Sequence, residues 1–212
     1  MFKVSFLLSG ENPFRHLGTE AAAIALDAFP GLVGCSLTRA LEIGEAPAFS
    51  GCLELYFPES TLAMDAGSGG PGQLLAENAG IVSVLVGIER VVVRAAGFSG
   101  MQKIKGVYPF RRRPGMSVAD FQRHWWHVHG PIAALTEEAL GYIQVHPVPD
   151  YYQWMQTGYD GITEIYWPDA AAAGRAIDSR QMREDQGSDA PNFVDLDSIA
   201  LFFAVEDWII DY

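Results

Sequence analysis

A nine-residue stretch recurs 110 residues further along the chain, and this echo limits the fold more than any other feature. Gly51-Cys52-Leu53-Glu54-Leu55-Tyr56-Phe57-Pro58-Glu59 lines up with Gly161-Ile162-Thr163-Glu164-Ile165-Tyr166-Trp167-Pro168-Asp169. The same offset aligns Gly31-Leu32-Val33-Gly34-Cys35-Ser36 with Gly141-Tyr142-Ile143-Gln144-Val145-His146. Two separate segments sharing one offset in 212 residues point to a duplicated unit rather than to two strands of similar composition. Near the start, Phe2-Lys3-Val4-Ser5-Phe6 resembles Ile104-Lys105-Gly106-Val107-Tyr108 at an offset of 102. The second half therefore carries about eight extra residues between its first two strands.

Each half reads β-α-β-β-α-β from its apolar periodicity. The first half predicts strands near 2–8, 32–38, 51–57 and 81–93, helices near 17–28 and 59–66, and a short turn at 73–78. The second predicts strands near 104–111, 141–147, 161–167 and 199–209, with helices near 117–140 and 169–184. Gly67-Ser68-Gly69-Gly70-Pro71-Gly72 reads as a loop, too glycine-rich for an element interior. The order is that of the ferredoxin-like split βαβ unit. The expected fold class is α+β: a degenerate N-terminal repeat over 1–95, a small-residue linker over 96–103, and a second repeat over 104–212. A ferredoxin-like sheet has one face covered by helices and one bare. Two such antiparallel sheets in one chain can cover each other as an intramolecular α/β barrel, with a small-molecule cavity between them.

Charge narrows the partners. The chain has 26 acidic against 14 basic residues, a formal net charge of −12, which argues against nucleic acid. No stretch reaches the ~18 unbroken apolar residues of a membrane span. The N-terminus, Met1 to Gly10, imitates a signal peptide only faintly, with no small-x-small site after it, so it is read as the first strand of a cytoplasmic protein. Cys35 and Cys52 make neither a disulfide framework nor a zinc spacing. The expected partner is a small apolar or aromatic ligand, and sheet edges and outer helices are compatible with a homodimer.

In the long helix of the second half, Ser117 reads as the N-cap. Apolar residues follow at Val118, Phe121, Trp125, Val128, Ile132, Leu135 and Ala139, one stripe expected to pack on the sheet. Pro131 cannot donate to the carbonyl of His127, which predicts a kink there. On a regular helix His124 and His129 flank the stripe on opposite sides and His127 faces solvent, so the three imidazoles diverge and form no metal site. His129, beside the kink, is read equally as a structural and as a site residue.

Strand alternation proposes the cavity lining. Taking the more apolar parity of each strand as the helix side leaves Tyr108, Tyr142, Gln144, His146, Glu164 and Tyr166 on the inner face. The matching first-half set is Phe6, Leu32, Gly34, Ser36, Glu54 and Tyr56, without the histidine and glutamine, so the second half is expected to supply the chemistry. A buried imidazole and carboxylate can serve as base and acid near neutral pH. A structural hydrogen bond of Glu164 is the competing reading, and Glu54 at the matching position favours it for the glutamates. Arg111-Arg112-Arg113 either binds a substrate carboxylate at the cavity mouth or is a solvated strand end. Asp185, Asp189, Asp195 and Asp197 crowd one loop, but the spacing of a cation loop is absent, which favours caps and turns.

The second half resembles EthD-type proteins of the dimeric α/β-barrel superfamily. The resemblance rests on Phe110-Arg111-Arg112, Pro114-Gly115-Met116-Ser117, Phe121, Trp125 and His129-Gly130-Pro131. It continues through Tyr142-Ile143-Gln144-Val145-His146, Tyr159-Asp160-Gly161 with Glu164, and Asn192-Phe193-Val194-Asp195. It implies a ferredoxin-like barrel, here duplicated in one chain. Relatives in the wider superfamily include cofactor-free monooxygenases, muconolactone-type isomerases, polyketide cyclases or dehydratases, and haem-dependent enzymes. The leading expectation is a cofactor-free lyase, isomerase or cyclase moving protons on a small aromatic or polyketide-like compound. Its catalytic candidates are His146 as base with His129, Glu164 and Tyr108, and its ligand-binding candidates are Tyr142, Gln144, Tyr166, Arg111 and Trp125. The alternatives are a non-catalytic ligand-binding or accessory protein of a degradation pathway, and a monooxygenase that is cofactor-free or carries haem on a histidine. No metal site is assigned.

Overall fold

The computed structural model describes residues 1–9, 29–43, 46–69, 81–94, 103–154 and 158–210. The helix expected at 17–28, the turn at 73–78 and nearly all of the linker lie outside the described residues. The fold is α+β with antiparallel strands, and the chain divides into two compact units. One comprises Met1–Glu89, Pro147–Gly158 and Ala204–Tyr212; the other comprises Arg90–His146 and Tyr159–Phe203. The divisions fall inside strands, so β4 and β9, defined below, each change unit along their length.

The first unit contains β1 (Phe2–Leu8), β2 (Gly34–Ala40), β3 (Gly51–Phe57) and most of β4 (Ile81–Val93), in the order β4-β1-β3-β2. That is the ferredoxin-like order, and every pairing is antiparallel. Strict alternation in Phe2-Lys3-Val4-Ser5-Phe6 gives the sheet two different faces. Val4 and Phe6, with Leu53 and Leu55 across the register, form an apolar face. Helix α1 (Ser60–Ser68) packs on it. The loop expected at 67–72 is corrected at its start, because Gly67 and Ser68 belong to α1; positions 70–72 lie outside the described residues. A Cβ at Gly67 would meet Val86 Cγ2 at 2.5 Å, so the glycine serves close helix–sheet approach rather than a turn.

The opposite face of this sheet is polar and still buried. Lys3 Nζ lies 2.7 Å from Glu54 Oε1 and 3.3 Å from Glu89 Oε1. Glu54 Oε2 accepts from Ser36 Oγ at 3.1 Å and from Thr38 Oγ1 at 3.3 Å. Of the expected inner set, Gly34, Ser36, Glu54 and Tyr56 share this face, whereas Phe6 pairs with Leu53 on the other and Leu32 precedes β2.

The second unit repeats the plan with β5 (Ile104–Arg112), β6 (Gly141–Pro147), β7 (Gly161–Trp167) and the start of β9 (Phe202–Ile210), ordered β6-β7-β5-β9. A two-residue strand β8 (Val194–Asp195) pairs with the end of β5. Helices α2 (Val118–His124), α3 (Gly130–Ala133) and α4 (Ala170–Asp178) belong to this unit. Ser117 caps α2 by accepting from the Asp120 N–H at 3.1 Å. Among the described residues no helix is long and apolar enough to cross a membrane.

The single helix expected over 117–140 is corrected in form. Between α2 and α3 the chain makes a π turn, Trp125–His129, in which the Gly130 N–H donates to the Trp125 carbonyl. The structure ends the helix at Ala133, and Thr136 Oγ1 then donates to the Ala133 carbonyl at 2.7 Å. The extra residue per turn shifts the phase of everything after Trp125. Phe121, Trp125, His129 and Ala133 now form a buried row spaced by four, with Gly130 buried beside it. Val128 and Leu135, assigned to the packed stripe by the 3-4 spacing, are 46% and 69% exposed.

Candidate functional site

Trp125 anchors the second unit. Its indole packs with Phe110, Phe121, Phe193 and Val194. It lies over Gly161, where a Cβ would come within 2.6 Å of the ring, so only glycine admits it. Its carbonyl also accepts from Gln144 Nε2 at 3.1 Å. Gln144 Oε1 accepts in turn from His146 Nε2 at 2.9 Å, and the His146 ring stacks on Trp125 with centroids 4.2 Å apart.

These contacts correct the expected inner face. Gln144 pairs with Thr163 in the register, and Ile143 with Glu164. Residues directly opposite in a ladder share a face. Tyr142, Gln144 and His146 therefore lie on the helix-covered face with Thr163, Ile165 and Trp167, and Tyr108 joins them opposite Thr163. Glu164 and Tyr166 lie on the other face. There Lys105 Nζ stands 3.4 Å from Glu164 Oε2 and 5.5 Å from the Tyr166 ring centroid, repeating the Lys3–Glu54–Tyr56 arrangement of the first unit. Assigning the more apolar parity to the helix side fails in β6 because hydrogen bonds to the π turn satisfy its polar side chains there.

The π turn also changes the histidines. His124 and His129, expected to diverge, converge on one carboxylate: His124 Nε2 is 2.9 Å from Asp189 Oδ1 and His129 Nδ1 is 3.0 Å from Asp189 Oδ2. Residues five apart come onto one side where the bonding is i→i+5. Asn192 Nδ2 donates to the same carboxylate at 3.2 Å. Burial pushes the Asp189 carboxyl upward, but the bonds from His124, Asn192 and His129 outweigh it and hold it below its usual range. His129 is lowered chiefly by burial, against the pull of Asp189, so it is neutral near pH 7. His127 is exposed. Among the described residues no cluster of His, Cys, Asp and Glu side chains is arranged to hold a metal ion.

A cavity of about 230 Å³ lies within this unit, between its helices and the sheet. Phe110, Trp125, Ile165, Met182, Phe193 and Leu201 make most of its wall apolar. Tyr108, His129, Tyr142, Thr163 and Gln186 bring the polar groups. The site therefore combines four of the expected residues, Tyr108, Trp125, His129 and Tyr142. Gln144 and His146 sit behind Trp125, and Glu164 and Tyr166 are on the far face. Arg111 is exposed, its backbone N–H bonded to Ser198 Oγ at 2.8 Å, and it does not line the cavity. Gln186, Met182 and Phe193 are not among the sequence candidates: the helix expected over 169–184 ends at Asp178 and a π-helical stretch, Gln181–Gln186, follows. A period of about 3.6 residues therefore does not place Met182 and Gln186, and Phe193 comes from an irregular segment.

His146 is held neutral. Burial, reinforced by the charge of Arg90, lowers it to about 3. Below the ordinary imidazole value near 6.5, the unfolded chain takes up a proton that folded His146 refuses. Stability should therefore fall with acidification between about pH 6.5 and 3, by up to ~1.4 kcal/mol per pH unit. Lowered His129 adds in the same direction. Denaturant titrations at pH 7, 6 and 5 should show this slope, reduced in His146→Phe; an equal slope in both would contradict the account.

The fold is that of an α+β protein of ferredoxin-like units, with an apolar cavity under one unit's helices. Residues 113–197, within the second repeat, match the family model of the EthD domain. No curated protein matches the chain. Among solved structures, the chain is similar to an anthrone oxidase-like protein, with 9% identity, a TM-score of 0.67, and 99% of this chain and 93% of that one covered. It is also similar to a putative monooxygenase from Lactobacillus acidophilus NCFM, at 11% identity and a TM-score of 0.53, over 98% and 94% of the two chains. A mutant chlorite dismutase from Candidatus Nitrospira defluvii in complex with cyanide gives 11% identity and a TM-score of 0.55, over 98% and 91%. Likeness at this identity shows the fold.

Haem does not fit this cavity. An axial histidine must present a free ring nitrogen to a pocket of porphyrin size. His129, the imidazole on this wall, faces a cavity of only about 230 Å³, too small for a porphyrin. His146 is not on the cavity wall; its ring lies flat against Trp125. The cavity is also below the ~300–1,000 Å³ of ordinary ligand pockets.

Proposed function

We propose that the protein binds a small aromatic compound in the cavity of its second unit and moves a proton on it without a cofactor, His129 acting as base. The observation that carries this reading is an apolar cavity whose wall holds a neutral imidazole oriented by a carboxylate. The Asp189 bond at Nδ1 fixes the tautomer and leaves Nε2 as the basic nitrogen, the arrangement general bases use. Volume sets the ligand size: a dry cavity of ~150 Å³ holds benzene. About 230 Å³ therefore suits one substituted ring. His146, the base expected from alternation, is walled off by Trp125, so the role passes to His129.

The test is exchange rather than turnover, since it needs no known product. Single-ring compounds with an acidic C–H are incubated with the protein in D2O and followed by proton NMR. The wild type should speed loss of that C–H signal, and His129→Ala should reduce the enhancement by about 10²–10⁴-fold. Binding without exchange would favour the accessory, non-catalytic reading. Undiminished exchange in His129→Ala would remove the histidine from the mechanism.

A further inference from the structure

The polar groups at the cavity wall are nearly all spoken for. The Tyr142 hydroxyl is hydrogen-bonded to Thr163. Gln186 Nε2 donates to Thr136 Oγ1 and Gln181 Oε1, each at 2.9 Å. His129 is held at Nδ1 by Asp189, which leaves Nε2 for the proton transfer. The Tyr108 hydroxyl differs: it is buried and has no hydrogen-bond partner among the described residues. A buried hydroxyl left unbonded costs roughly 1–3 kcal/mol, so it is kept where something else uses it. Burial first, and the neighbouring Tyr142 second, push this phenol well above its usual range, so it stays protonated and can donate. Among the described residues, no lysine or arginine side chain lines the cavity, and the only imidazole there is kept neutral. Nothing at the wall compensates an anionic ligand, and a carboxylate entering an apolar site without a cation is strongly disfavoured. The whole chain, at −12, repels anions as well.

We infer that this cavity selects uncharged aromatic carbonyl compounds over aromatic acids, with Tyr108 donating to the ligand's carbonyl oxygen. The inference rests on the reading of the cavity as a ligand site and deepens it. The polar handle also suits the proposed chemistry. As His129 Nε2 takes a proton from the carbon beside the carbonyl, the C–H pair moves into the C–C bond and the C=O pair moves onto oxygen. The resulting enolate oxygen accepts the Tyr108 hydrogen bond. Return of the proton completes an exchange or a tautomerisation with no oxidant or reductant.

The test compares three probes of similar shape by calorimetry: acetophenone (a neutral carbonyl), benzoate (its anionic counterpart) and ethylbenzene (no acceptor). Acetophenone should bind about 5- to 10-fold more tightly than ethylbenzene, as one hydrogen bond provides. Benzoate should bind at least 100-fold more weakly than acetophenone. Tyr108→Phe should bring acetophenone down to the level of ethylbenzene while leaving ethylbenzene unchanged, which also shows that the cavity is intact in the variant. Benzoate binding as tightly as acetophenone, or an acetophenone affinity untouched by Tyr108→Phe, overturns the inference and leaves the cavity reading standing. Failure of all three probes to bind overturns both.

Discussion

Replacing Lys105 with methionine should destabilise the protein by about 3–5 kcal/mol, although the two side chains are of similar length. The change leaves Glu164, fully buried, without the ammonium 3.4 Å away. A buried carboxylate that loses its ammonium is costly, and the protein then takes up a proton or unfolds more readily. The double replacement Lys105→Met with Glu164→Leu removes both charges and should recover most of the loss, because a buried ion pair is roughly neutral against an apolar pair of similar volume. Urea unfolding of the wild type, the single and the double variant measures this directly. A double variant as unstable as the single one would show that the pair is not the reason these charges are tolerated. The same pattern is expected at Lys3 and Glu54.

Truncating Trp125 to alanine should cost a similar amount, ~3–5 kcal/mol, for a different reason. The indole is almost wholly buried and meets Phe110, Phe121 and His146 with centroid separations of 5.0, 5.5 and 4.2 Å. Its loss enlarges the cavity and uncovers the ring of His146 at once. For a chain of this length the melting temperature should drop by roughly 10 °C. Larger ligands should enter the widened cavity, so binding of two-ring compounds by the variant but not the wild type would accompany the loss. A melting temperature within two or three degrees of the wild type would mean the helix collapses onto β7 more completely than the packing over Gly161 suggests.

The element plan was legible because it is local. The offset of 110 residues marks β7 as the sequence counterpart of β3 and β6 as that of β2, and the alternation in Phe2-Lys3-Val4-Ser5-Phe6 marks two unlike faces without reference to anything else. Helix α2 and its Ser117 cap follow from short-range rules that hold in any surroundings. The candidate site was legible only in part. Tyr108, Tyr142, Trp125 and His129 are all site candidates from the sequence, the tyrosines as lining of a bare sheet face, Trp125 from the helix stripe and His129 from beside the kink, whereas the structure brings all four together under the helices.

What the sequence determined by itself, then, is the pair of ferredoxin-like units, the strands of each, and the aromatic and histidine inventory of the second. Tertiary structure decided which way those side chains point. Ladder register put Gln144 opposite Thr163 and so separated it from Glu164. One π turn, stabilised by what packs on it, moved His129 into the buried row and left Val128 in solvent. Asp189 then gathered two histidines lying 65 and 60 residues before it in the chain. Such contacts join residues far apart in sequence, and no local periodicity encodes them, because their geometry exists only once the layers have packed.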